Sequence, residues 1–307
     1  MKGLDIARDF FFERGLPMLK GKFPSETERL AAGLAGEGSE CFGFDDEFSR
    51  DHDWGPGFCL WLNDEDFANV GAEMTAAYRE LGNEYKGFRR NQLAEAQGRV
   101  GPQAIGDFYS RFIGQRGIPE TLRQWRIIPE SNLASVTNGE VFYDNSGEFT
   151  AVRRGLTEYY PEDVRIKKIV TRAAFMAQSG QYNYRRCEKR GEKVAAMMAV
   201  AAFVENATSM AFLLNRKYKP FYKWMHRAMK DLPLLNNCYS MIERLCEKDR
   251  SPEENEEVIE AVCADVLREL KRQGLTDGTD PFLLEHCQKM MRHIKDDEIK
   301  ALHIMQD

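Results

Sequence analysis

The chain has 307 residues, 43% of them hydrophobic, and carries 43 Lys and Arg against 49 Asp and Glu for a net charge of −6. That is material for a real core in one large or two medium domains, with two expected, and the acidic balance argues against a general nucleic-acid binder. Seven scattered cysteines without a C-x-x-C pair argue against a disulfide framework or a structural zinc site, and reduced thiols fit a cytoplasmic protein. The start of the chain lacks a basic stretch followed by an apolar run. Charges interrupt the apolar segments, so no membrane partner is expected.

In chain order, "LDIARDFFFERGLPML" reads as a short helix stopped near Gly15 and Pro17, and "SETERLAAGLAG" opens with a capping box, Ser25 with Glu28. A glycine-rich turn comes next, and then Phe58 to Leu62 reads as a buried strand. Asn63 or Asp64 caps a helix in which Phe67, Val70, Met74 and Tyr78 recur at helical spacing, ending near Gly82. From Asn132 to Val152 short alternating runs separated by "TNG" and "NSG" predict a small antiparallel meander. Beyond Pro161 the periodicity is helical almost throughout. The fold class expected is therefore α+β: an N-terminal mixed sheet with flanking helices over residues 1–155, then a C-terminal α-helical bundle over 156–307.

Chemistry concentrates in "GEGSECFGFDDEFSRDHDWGPGFCLWLN". A Gly-Ser pair at a turn, Gly38 and Ser39, offers backbone N–H groups and a hydroxyl to a phosphate. Asp51 and Asp53 sit just before the apolar strand, where period-two alternation points both side chains to one face. Two like charges held that close are tolerable in water or with a divalent cation between them, and such a pair can bridge Mg2+ to the same phosphates. His52, pointing the other way, reads as packing. Together these residues describe a nucleotide site.

The arrangement of Gly38-Ser39, an eleven-residue gap and Asp51-His52-Asp53, with Ser49 just ahead, resembles the signature of the nucleotidyltransferase superfamily shared by kanamycin nucleotidyltransferase and polymerase-beta-like enzymes. The blocks "GSECFGFDDEFSRDHDWGPGFCLWL", "TNGEVFYDNSGEFTAVRRGLTEYYPEDV" and "FLLNRKYKPFYKWMHRAM" look like successive parts of a bacterial domain-of-unknown-function family carrying that fold, from about residue 30 to 230. The resemblance implies a nucleotidyltransferase-fold mixed sheet in the first domain, with two Mg2+ ions on Asp51 and Asp53. It also implies ATP or another nucleoside triphosphate as substrate, with Gly38, Ser39 and Ser49 at the phosphates. A third carboxylate completes such a site as metal ligand or base. In "EVFYD" alternation puts Glu140, Phe142 and Asp144 on one face, so Asp144 or Glu140 could project toward the aspartate pair; Asp144 could equally start the "DNSG" turn. "EAQGRVGPQ" offers Glu95 as another candidate.

In the helical half "NRKYKPFYKWMHR" sets Lys217, Lys219, Lys223 and Arg227 among Tyr218, Phe221, Tyr222 and Trp224, a mix suited to base stacking and to cations on a triphosphate tail. Tyr218 and Lys223 are the candidates; the matching family block repeats the Lys-Trp pair. The alternative is a packed aromatic underside with snorkelling cations. The expected activity is transfer of a nucleoside monophosphate, first of all AMP, to a hydroxyl of a small acceptor with release of pyrophosphate. Transfer to a protein or tRNA acceptor, and a non-catalytic nucleotide-binding regulatory module, are the competing expectations.

Overall fold

The computed structural model describes residues 1–50, 53–91 and 98–307. The chain forms two compact units: Met1–Pro119 with Asn132–Glu158, and Glu120–Ser131 with Tyr159–Asp307. Close to the expected boundary at 155/156, the chain changes unit between Glu158 and Tyr159. It also lends the segment 120–131 to the second unit.

The first unit opens with α1 (Gly3–Phe10), a π-helical turn (Phe11–Gly15) and α2 (Leu16–Lys22). The expected stop at Gly15 and Pro17 does not occur. The π turn shifts the hydrogen-bond register, so Pro17 falls in the first turn of α2, where its missing N–H is not required. The capping-box segment supplies only one turn, α3 (Pro24–Thr27), without a side-chain cap. The apolar run after it is β1 (Ala31–Leu34), buried at all four positions. A run that short and that fully enclosed suits the middle of a sheet.

β2 (Cys59–Leu62) lies antiparallel to β1 and is likewise buried throughout. It leads into α4 (Asp64–Glu80), whose Asn63 side chain accepts from the Asp66 N–H at 2.8 Å, as the capping signal predicts. A small ribbon, β3 (Glu84–Tyr85) with β4 (Phe88–Arg89), follows. Next come β5 (Gly101–Ala104), parallel to β2, and α5 (Ile105–Ile113). α6 (Leu122–Ile127) belongs to the second unit.

The stretch 132–152 is not a meander. It is α7 (Glu130–Thr137), one strand β6 (Glu140–Asp144) and α8 (Glu148–Thr157). The "TNG" residues end one helix and "NSG" starts the next. β6 pairs antiparallel with β1 and completes a mixed four-stranded sheet in the order β5-β2-β1-β6. On one side of the sheet, Phe10, Phe11, Phe58, Leu60 and Met74 form an apolar cluster. Elsewhere in the unit Trp61 stacks on Phe149 with ring centroids 3.8 Å apart.

The second unit is helical. α9 (Glu162–Met176) continues through a π-helical stretch (Ala177–Tyr184) into α10 (Arg185–Lys189). α11 (Lys193–Leu214), α12 (Tyr222–Ala228), α13 (Cys238–Arg244), α14 (Pro252–Arg272), α15 (Leu284–Met291) and α16 (Asp297–Lys300) follow. Ser251 and Glu254 form the capping box that starts α14. α11 is long and apolar enough to cross a membrane by length and composition, with Glu205 interrupting its apolar run as expected. Phe203 and the run Asn206–Leu214 are buried within the unit. All seven cysteines are free thiols: Cys41, Cys59, Cys238, Cys263 and Cys287 are buried, Cys187 is half-buried and Cys246 is exposed. The architecture is thus α+β, with a mixed sheet in the N-terminal half and a helical C-terminal half.

Candidate nucleotide site

Beyond β1 the chain turns sharply at Ala35–Gly38 and enters a 3-10 helix, Ser39–Phe42. The turn is anchored by Asn138, whose Oδ1 accepts from Gly36 N at 2.9 Å while its Nδ2 donates to Gly36 O at 2.7 Å. Glycine at position 38 lets the Glu40 carboxyl group fold against the turn, where a Cβ would lie 2.5 Å from it. Glu40 itself is 5% exposed, and burial pushes its carboxyl group above the usual carboxylate range.

Asp53 reaches the same place from the loop ahead of β2. Its backbone has φ 54, a left-handed conformation that aspartate tolerates, and its N–H donates to Asn91 O at 2.8 Å. It therefore lies in a turn, and the strand alternation expected to orient it does not apply. The carboxylate is 7% exposed and meets Arg99 Nη1 at 3.2 Å, while Arg99 Nε lies 3.6 Å from Glu37. Gly38, Glu40 and Asp53, with Arg90, Arg99 and Arg111, line one small pocket. Arg111 donates to Gly98 O at 2.7 Å and lies over the Phe112 ring, and burial lowers its pKa.

The Gly-Ser turn and one aspartate of the pair are thus neighbours across fourteen intervening residues. Asp51 and Glu95 lie outside the described residues. Ser39 is half-buried and starts the 3-10 helix, its carbonyl accepting from Phe44 N at 2.9 Å, but it does not line the pocket. Ser49 is turned onto Asp46, its Oγ 3.2 Å from Asp46 Oδ1 in a surface turn.

Asp144 is not part of this pocket. It pairs with Ala31 at the start of β1, whereas the Gly-Ser turn follows Leu34 at the other end. Its carboxylate accepts from Gly147 N at 2.8 Å, Thr150 N at 2.9 Å and Thr150 Oγ at 2.6 Å, which caps α8. Glu140 pairs with Leu34 but is held by Arg8, whose Nε donates to it at 2.9 Å.

In the second unit Tyr218 is packed, its ring stacked on Tyr159 at 4.7 Å and edge-on to Tyr160 at 5.1 Å. Lys219 faces Glu205 at 3.6 Å. Lys223 is exposed, its ammonium 6.0 Å from the centre of the Trp224 ring.

Among the described residues no group of three or more His, Cys, Asp or Glu side chains could hold a metal ion by itself. Mg2+, however, commonly binds through one or two carboxylates plus the phosphates of a substrate. The hard oxygen of Asp53, with Glu37 and Glu40 in the same pocket, suits that mode. The residues that sequence reasoning missed are Glu40 and the three arginines. Glu40 follows the Gly-Ser pair directly and could have been suspected, but Arg90, Arg99 and Arg111 come from three separate segments with no shared motif.

A family model, Domain of unknown function (DUF4037), matches residues 125–225. That stretch holds Asp144, Tyr218 and Lys223 but neither Gly38 nor Asp53. No curated protein matches the chain. Among solved structures, a nucleotidyltransferase-like protein from Exiguobacterium sibiricum 255-15 is similar at 12% identity, over 95% of this chain and 80% of that chain, with a TM-score of 0.37.

Proposed function

We propose that the first unit carries a Mg2+-dependent nucleotidyltransferase site. It moves a nucleoside monophosphate, AMP in the first instance, from a nucleoside triphosphate to a hydroxyl of a small acceptor. The observation that supports this reading is the meeting of Gly38 and Asp53 in one arginine-lined pocket. In the reaction the acceptor oxygen bonds to the α-phosphorus, the bond to the bridging oxygen breaks and pyrophosphate leaves. Asp53, together with Asp51, would hold Mg2+, which when bound neutralises charge on the triphosphate. The turn around Gly38 seats the phosphates. With Asp144 committed to α8, Glu40 is the carboxylate in this reading that takes the acceptor proton, because burial raises its affinity for protons.

The test is incubation of the full chain with each labelled triphosphate, Mg2+ and a metabolite extract, followed by a search for a nucleotidylated product. A labelled product that depends on Mg2+ and is lost in Asp53→Asn is the expected result. No product with any of the four nucleotides would defeat the reading. Asp53 is held by Arg99 and Asp144 caps α8, which favours a second reading: a nucleotide-binding module without catalysis. Binding without transfer would distinguish it.

A further inference from the structure

Three arginines in one small pocket repel one another unless anions stand among them. Two of the three are accounted for. Arg99 lies between Asp53 and Glu37, and Arg111 donates to the Gly98 carbonyl and rests on aromatic rings. Arg90 is different. It is 6% exposed, yet neither its Nε nor its Nη1 has a hydrogen-bond partner. A guanidinium stays charged at every relevant pH and carries five donors, and buried charges in native proteins are paired or hydrogen-bonded.

The backbone holds Arg90 in place: its N–H donates to Asn83 O at 2.9 Å, and Asn83 Nδ2 returns a bond to Arg90 O at 3.2 Å. The side chain extends past Gly57, where a Cβ would come within 3.3 Å of both Arg90 Cδ and Nη1. The acids that line the pocket do not satisfy Nε and Nη1 of Arg90. Glu37 and Asp53 are turned onto Arg99, while Glu40 feels the charge of Arg90 without bonding to its Nε or Nη1.

We propose that Arg90 is the receptor for a phosphoryl oxyanion entering this pocket, with Arg99 and Arg111 completing a cationic lining around it. The planar donor fork suits two oxygens of one phosphate. Only the identity of the molecule that carries the phosphate rests on the nucleotidyl-transfer reading, which makes it the pyrophosphate end of a nucleoside triphosphate.

The experiment is calorimetric titration of the full chain with inorganic pyrophosphate, without metal, and with AMP as a comparison. Wild type, Arg90→Met and Arg90→Lys are compared, with thermal melts of each free protein. Wild type is expected to bind pyrophosphate, and Arg90→Met to bind it roughly thirty-fold more weakly or not at all. Free Arg90→Met should melt no lower than wild type, because an apolar chain replaces a buried cation whose Nε and Nη1 have no partner. Unchanged pyrophosphate affinity in Arg90→Met would overturn the proposal. So would a melting point several degrees lower that Arg90→Lys restores without any effect on affinity, since Arg90 would then be a structural residue. Pyrophosphate binding lost in Arg90→Met, with no nucleotidylated product from wild type, would sustain the anion site and defeat the transfer reading. Transfer that survives in Arg90→Met with full pyrophosphate affinity would do the reverse.

Discussion

Replacing Asp144 by alanine separates a structural acid from a site acid. Its carboxylate takes four hydrogen bonds, from Gly147 N at 2.8 Å, Thr150 N at 2.9 Å, Thr150 Oγ at 2.6 Å and Ser146 Oγ at 3.4 Å, at the start of α8. Loss of a capping acceptor costs about 0.5 to 2 kcal/mol, and a charged acceptor stands at the upper end. Water can reach this half-buried turn and replace part of what is lost, so about 1 to 2 kcal/mol is expected for Asp144→Ala. In a unit of roughly 150 residues that corresponds to a melting point lower by about 3 to 8 °C. Differential scanning calorimetry gives the shift, and calorimetric titration with ATP and Mg2+ gives the affinity, measured well below the lower melting point. Stability should fall while affinity holds. An unchanged melting point with nucleotide binding abolished would refute the reasoning and return Asp144 to the site.

Asp53→Asn should abolish Mg2+-dependent triphosphate binding with the fold intact, because the amide keeps the shape and loses the charge; unchanged affinity by calorimetric titration would place the triphosphate elsewhere. Glu40 has a folded pKa above its ordinary 4.5, so the folded state binds more protons and wild-type stability falls as pH rises from there. Glu40→Gln should therefore raise the melting point relative to wild type at pH 7 and lose that advantage toward pH 4, and an advantage equal at both pH values would contradict the burial argument.

What could be read from the sequence was what local rules determine. The Asn63 cap of α4 and the helical second half follow from spacing within a single element. The errors arose where tertiary contacts decide. "AAGL" after a helix-start signal becomes a strand because four buried residues are taken between β2 and β6. "EVFYD" pairs with distant β1 where a neighbouring hairpin was expected, so its turn residues start and stop helices and Asp144 becomes a cap. At the site, Gly38 and Asp53 belong to a recognisable pattern, whereas Arg90 comes from beside the β3–β4 ribbon and nothing nearby in sequence marks it as a partner of either.

The distribution of thiols gives this chain an internal reporter of its own unfolding. Cys41 and Cys59 are enclosed in the first unit, and Cys238, Cys263 and Cys287 in the second. Burial pushes Cys59 up to about 11 and Cys238 and Cys287 to about 12, so almost no thiolate is available to an alkylating reagent in the native state. Exposed Cys246 takes label first and serves as the full-occupancy reference. In a brief pulse of alkylation across a denaturant series, read peptide by peptide in a mass spectrometer, the two sets of cysteines become accessible together if the units unfold as one. They become accessible at separate denaturant concentrations if each unit opens alone.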